Sequence, residues 1–117
     1  MKFQEMVTTW LSVCFGPYEI EDKKERQRRF LEEAIELSQA CGASKEEVIN
    51  MVDYVYSRGE PGEIRQELGG VMTTLAVLAE SHNLYMDECG DTELKAMFHK
   101  VDKIRLKQAA KPRCVSK

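Results

Sequence analysis

The sequence lacks the features of several protein classes. Its 117 residues include only three prolines and seven glycines and no low-complexity segment, which argues against disordered and collagen-like chains. The longest weakly charged stretch, residues 68–79, has 12 residues against the ~20 that a membrane-spanning helix needs. The N-terminal segment carries Glu5 where a signal peptide would be apolar, and no small-residue cleavage pattern follows. We therefore expect a cytoplasmic protein with no membrane partner.

Cysteine patterns typical of disulfides and zinc sites are also missing. The four cysteines lie 25 to 48 residues apart without a C-x-x-C pair, and His82 and His99 do not stand at zinc-ligand spacing near them. We therefore expect free thiols.

Helical patterning dominates what is present. Leu, Ile, Glu, Lys, Ala and Met outweigh runs of β-branched residues. Apolar periodicity, with Gly42 as a terminator and an S-x-x-E capping box at Ser44, predicts helices at residues 3–15, 21–41, from 44, 63–81 and 92–110. One chain of this length is one domain's worth. The sequence therefore predicts an all-α bundle of four to five helices over residues 1–111, followed by a flexible basic tail at 112–117.

Charge is distributed unevenly along the chain. Residues 1–99 carry 10 basic and 19 acidic side chains, a net of −9, whereas residues 100–117 carry 7 basic and 1 acidic, a net of +6. The basic end either binds phosphates or solvates a helix end. Without interleaved aromatics or a nucleic-acid motif, a nucleic-acid partner is not expected. The acidic remainder suits a site for divalent cations.

Two glutamates lie at the edges of apolar helix faces, and a third lies outside such a face but within reach of one of them. On a helical wheel Glu33 falls at the margin of the second helix's apolar arc, and Glu36 is one turn away, so both carboxylates can reach one point. Glu67 lies at the margin of the fourth helix's apolar stripe. Close, partly buried carboxylates need protons, bases or a metal, and an oxygen-only set favours Mg²⁺ or Mn²⁺. The alternative is that these acids pair with basic neighbours, such as Arg28 and Arg29.

An E-E-x-x-E motif is followed, on a later helix, by a further acid. The two segments that contain them are RFLEEAIELSQA and, later in the chain, GEIRQELGGVMTTLAVLAE. Together they resemble the MazG-like nucleoside triphosphate pyrophosphohydrolases, an all-α superfamily marked by E-E-x-x-E followed by E-x-x-D. The likeness covers roughly residues 12–111 and includes the closing VDKIRLKQAAKP. It implies hydrolysis between the α and β phosphates to a monophosphate and pyrophosphate, with Mg²⁺, or Mn²⁺ in its place, held by carboxylates and substrate phosphates.

The resemblance also assigns residues. By position Glu33, Glu36 and Glu67 match the family's metal ligands, and Glu32, the remaining acid of the first motif, is the candidate catalytic residue. The candidate phosphate-binding bases, whose alternative is a solvated helix end, are Lys100, Lys103, Arg105 and Lys107.

One departure from the family pattern concerns the second motif. The expected aspartate three residues after Glu67 is Gly70, which affects the number of metals bound and the rate of turnover. Adjacent glycines inside a helix cost about 1 kcal/mol each relative to alanine, so Gly69 and Gly70 suggest close approach of another backbone or of substrate. A catalytically weak or silent nucleotide- or metal-binding helical protein is therefore one alternative, and a helical interaction module with a basic C-terminus is another.

Self-association is the last expectation. The family usually builds its site in dimers or dimers of dimers, and the fourth helix here, VMTTLAVLA, is apolar over most of its circumference. We therefore expect a homodimer or homotetramer.

Overall fold

The computed structural model describes residues 2–111, apart from the side chain of Asp102, and within that range the chain is all-α with no β-strand. The predicted tail at 112–117, including Cys114, lies outside the described residues. A 3-10 helix at Glu19–Glu21 joins the first two of six α-helices, which are α1 (Phe3–Phe15), α2 (Lys23–Ala40), α3 (Lys45–Tyr56), α4 (Ile64–Ser81), α5 (Met86–Phe98) and α6 (Val101–Ala110).

The boundaries of α2 and α3 follow the signals predicted from the sequence. The Asp22 side chain accepts a hydrogen bond from the Glu25 amide at the start of α2, and Ser44 accepts one from the Glu47 amide at the start of α3. Gly42 has a φ of 100°, the left-handed conformation that ends a helix at little cost to glycine. Ser44 is therefore confirmed as the cap of α3, and Gly42 as the glycine terminator after α2.

The predicted helix at 92–110 is wrong in two respects. It is two helices, α5 and α6, because the amides of His99 and Lys100 bond to carbonyls three residues back and tighten the chain into a turn. In addition, α5 begins at Met86 and continues through Gly90. A Cβ at Gly90 would lie 3.0 Å from the ring of Phe3, so this glycine lets α1 pack closely against α5.

The buried core lies where α1, α5 and α6 meet. Among the described residues its buried apolar members are Trp10, Leu11 and Cys14 of α1 and Leu94 of α5. Arg105 of α6 donates hydrogen bonds to the backbone carbonyls of Cys14 and Val13, the latter at 2.8 Å. Because α1's last carbonyls have no partner inside the helix, the guanidinium both satisfies them and fixes α6 against α1.

The other helices leave much apolar surface open. α2 packs against α3, and α4 packs against α5. Within residues 2–111, α3 and α4 contain no buried residue and α2 buries only Glu25. We use the term open apolar surface for six half-exposed side chains on these helices: Leu31, Ile35, Val52, Val55, Leu68 and Leu75.

Overall dimensions agree with this open arrangement. The radius of gyration is 15.7 Å, against about 13 Å for a compact chain of this length. The accessible surface is 10055 Å², against about 6500 Å² for a folded monomer of this mass. The predicted four- to five-helix bundle is thus confirmed as all-α, and a closed bundle is not seen over residues 2–111. No helix within the described residues combines the length and apolar character needed to cross a membrane.

Candidate functional site

One groove along α2 contains four of the predicted site residues. It has a volume of about 730 Å³, and Glu32, Glu33 and Glu36 lie in it together with the apolar side chains of Leu31 and Ile35. Its remaining lining residues are mostly basic: Arg28, Arg29, Gln39, Lys107 and Lys111. We call this the acid groove. The α-helical repeat explains the grouping, because residues three and four apart share one side of a helix.

Glu32 is engaged by two bases. Lys111 Nζ lies 2.7 Å and Arg29 Nη1 lies 3.2 Å from its Oε1. The hydrogen bond from Lys111 lowers the pKa of Glu32, and the charges of Lys111, Arg29 and Lys107 lower it further against the opposing effect of burial. Glu32 is thus an ionised carboxylate that holds Lys111 at the groove, and its pairing with Arg29 matches the charge-paired alternative.

Glu33 has the opposite electrostatic environment. Neighbouring side chains withdraw enough water from its carboxyl group to raise its pKa, although the residue as a whole is exposed in the single chain. The negative charge of Glu36 raises the pKa further, with smaller contributions from Glu32 and Glu93, while Lys111 lowers it. A divalent cation at this point would relieve both the desolvation and the repulsion of neighbouring acids. Carboxylate oxygens are the ligands that hard cations such as Mg²⁺ prefer, so Glu33 and Glu36 are two residues that could contribute ligands to one.

Glu67 does not join these acids within one chain. It lies in the first turn of α4, and its carboxylate is close enough to Gly62 that a Cβ there would be 2.9 Å from Glu67 Oε2. Over residues 2–111, no three His, Cys, Asp or Glu side chains are placed to hold a metal ion together. Glu33 and Glu36 are therefore brought together by the structure, and Glu67 is not brought to them.

The four predicted phosphate-binding bases divide among three places. Lys107 lines the acid groove. Lys100 and Lys103 line a separate groove of about 490 Å³ where α5 meets α6. Arg105 is bound to the end of α1. The sequence analysis missed Lys111, although it follows Lys107 by four residues and so falls on the same side of the chain's last helical segment.

A buried carboxylate links α2 to α6. Glu25 is fully buried, Gln108 Nε2 donates a hydrogen bond to its Oε2, and Arg29 Nε lies 3.2 Å away. Burying a carboxylate is tolerated when bases and hydrogen bonds compensate it. This contact fixes the α6 segment so that Lys107 and Lys111 face the acids. The sequence analysis missed Glu25, which contacts Gln108 of α6, and Glu93 of α5, whose charge acts on Glu33, because both interactions join different helices.

Comparisons with known proteins assign no family. No protein-family model, curated protein or solved structure matches the chain. The likeness to the MazG-like proteins therefore depends on the glutamate motifs and the helical architecture alone.

Proposed function

We propose that the protein is a cytoplasmic, Mg²⁺-dependent pyrophosphohydrolase that cleaves a nucleoside triphosphate, or a related nucleotide, to a monophosphate and pyrophosphate. The observation that supports this most is the acid groove, where Glu33 and Glu36 lie beside Lys107 and Lys111. Carboxylates for a hard cation and bases for phosphates are what phosphoanhydride hydrolysis requires. The groove volume, about 730 Å³, is within the roughly 300–1000 Å³ range of small-molecule sites.

In this proposal each side chain has a distinct task. Glu33 and Glu36 would hold the cation, which when bound neutralises phosphate charge and activates water. Lys107 and Lys111 bind the phosphate chain and orient it along α2. Glu32 keeps Lys111 in the groove. It also remains the predicted catalytic residue of the first motif, and its lowered pKa keeps it ionised throughout.

We also propose that the working protein is a homodimer or homotetramer. The single chain exposes about 3500 Å² more than a folded monomer of its mass. Obligate homodimers bury roughly 2000–5000 Å² summed over both copies, which is about 1000–2500 Å² per copy, so covering part of this surface is enough for a stable interface.

A silent binder is the second candidate, and Gly70 favours it. Because the family's fourth acid is absent at this position, the site has fewer oxygen ligands with which to hold the metal and activate water. In this case the chain would bind a nucleotide and metal through the acid groove without turnover.

One assay separates the two. Purified protein is incubated with each ribo- and deoxyribonucleoside triphosphate and Mg²⁺, and pyrophosphate is measured. We expect release from at least one substrate, its loss in Glu33→Gln, and its retention in the matched control Glu80→Gln, which neutralises an exposed glutamate of α4. If no triphosphate yields pyrophosphate, the enzyme proposal is wrong, and thermal stabilisation by Mg²⁺ with nucleotide would then support the silent binder.

A further inference from the structure

A thiol and an imidazole meet where two helices end. Cys41 is the residue at the C-terminal end of α2, and His82 is the residue at the C-terminal end of α4. Although 41 positions separate them in sequence, Cys41 Sγ and His82 Nε2 lie 3.5 Å apart, and both residues are exposed. Sequence spacing gives no sign of this pair, because it is the fold that brings the two helix ends together.

The separation of the two atoms fits a tetrahedral zinc ion. A thiolate sulfur binds Zn²⁺ at about 2.3 Å and an imidazole nitrogen at about 2.0–2.1 Å, so two such ligands in a tetrahedron are roughly 3.5 Å apart. Cys41 and His82 already have this separation. Sulfur and imidazole ligands favour zinc, whereas Mg²⁺ prefers oxygen. The ligand chemistry of the pair therefore differs from that of the acid groove.

The electrostatics of the two helix ends also favour a cation. The C-terminus of an α-helix carries about half a negative charge, and the pair stands at two such ends. The last turns of α2 and α4, which the structure describes in full, contain no lysine or arginine that would balance this charge. A divalent ion held between Cys41 and His82 would balance both ends at once.

The chain between the two residues has few other constraints. Positions 42–81 are all described by the structure, and none of these residues is buried. α2 packs against α3, and α4 packs against α5, while the Cys41–His82 contact joins the end of α2 directly to the end of α4. A metal clip that closes a long loop restricts the unfolded chain and so stabilises the folded one. An ion at this pair would therefore stabilise the part of the fold that has no core of its own.

We propose that Cys41 and His82 form a zinc-binding clip that ties α2 to α4 within one chain. Over residues 2–111 no group of three His, Cys, Asp or Glu side chains is placed to hold a metal, so water completes the tetrahedron around the ion. The clip has a structural role, is separate from the acid groove and does not depend on the function proposed above.

Cobalt binding tests the two ligands. Co²⁺ replaces zinc in such sites, and its bond to a thiolate gives a charge-transfer absorption band in the near ultraviolet. Reduced wild type, titrated in excess Mg²⁺ to occupy oxygen-only sites, should show this band with one ion per chain. Cys41→Ser should abolish the band, and His82→Gln should raise the Kd for Co²⁺ at least about tenfold.

Two matched controls remove the same side-chain types elsewhere. Cys89 is an exposed free cysteine, and His99 is the residue at the C-terminal end of α5. Cys89→Ser and His99→Gln should both keep the band and the Kd of wild type.

Urea unfolding tests the clip itself. Zinc that binds only the folded chain, at a free concentration one hundred times its Kd, should lower the unfolding equilibrium constant of wild type about a hundredfold. The same zinc should leave the unfolding midpoint of Cys41→Ser unchanged.

Several results would overturn the proposal. Wild type without the band, a band that persists in Cys41→Ser, or an unchanged Kd in His82→Gln would reject the pair as ligands. One ion per two chains would reject a clip within one chain, and zinc binding that leaves the urea midpoint of wild type unchanged would reject its structural role. Pyrophosphate release is measured separately, so the clip and the proposed function can fail independently.

Discussion

Replacing Leu68 with aspartate distinguishes a covered α4 from a solvent-facing one. Leu68 is 60% exposed in the single chain, so in a monomer Leu68→Asp should change stability by no more than about 0.5 kcal/mol. If a second copy covers it, the burial of the remaining leucine surface is lost, roughly 1–2 kcal/mol per copy and 2–4 kcal/mol per dimer. A carboxylate placed in the interface without a partner adds to this loss. We therefore expect the dissociation constant to rise at least about thirtyfold.

Two measurements detect this change. Light scattering should show an oligomer for wild type and a smaller species for Leu68→Asp. The Tm of thermal unfolding should depend on protein concentration for wild type only, because unfolding of an oligomer is coupled to its dissociation. With an unfolding enthalpy of about 160 kcal/mol for a dimer, Tm should rise by about 3 °C for each tenfold increase in protein concentration.

The control places the same charge outside the open apolar surface. Tyr18, next to the 3-10 helix, is 76% exposed, and Tyr18→Asp should keep the wild-type mass and concentration dependence. Equal masses for all three proteins, with Tm independent of concentration, would refute the interface reasoning.

Three further predictions follow from the site and the core. The pKa of Glu33 is raised in the folded chain, so metal-free wild type should lose stability as pH rises from the pKa of an ordinary glutamate towards the raised pKa of Glu33. Glu33→Gln should not show this loss, and thermal unfolding measured across pH tests it. Lys107→Met or Lys111→Met should raise KM for the triphosphate about tenfold by removing one charge-assisted hydrogen bond, while Lys103→Met, in the separate groove, should leave it unchanged. Arg105→Met should destabilise the chain by roughly 1–3 kcal/mol in urea unfolding, because α1 carbonyls lose their donor, and an unchanged midpoint would contradict that role.

The predicted helix boundaries were accurate where one residue determines them. Ser44 and Gly42 act through their own side chain or their own φ, so local sequence is sufficient. The break at His99 and Lys100 has no proline or glycine to mark it, and the apolar periodicity continues on both sides. Gly90 lies inside α5, where it accommodates the ring of Phe3, a contact that depends on tertiary packing.

The acidic residues of the acid groove, which lie on one helix, could be predicted from the sequence more fully than the contacts that other helices make with them. The spacing of Glu33 and Glu36 follows from the α-helical repeat. The involvement of Glu25 and Glu93 depends on how other helices lie against α2, which periodicity does not specify. Arg105 resembled a phosphate-binding base in sequence, but backbone carbonyls of α1 are its partners, and such partners leave no trace in side-chain patterns.

Calorimetric titration with a non-hydrolysable triphosphate analogue tests the central claim most directly. We predict that Mg²⁺ increases the affinity of wild type for the analogue. Glu36→Gln should reduce this increase in affinity at least about tenfold, and Glu80→Gln should leave it unchanged. Analogue binding that is independent of Mg²⁺, or equally dependent on it in Glu36→Gln and wild type, would contradict the account.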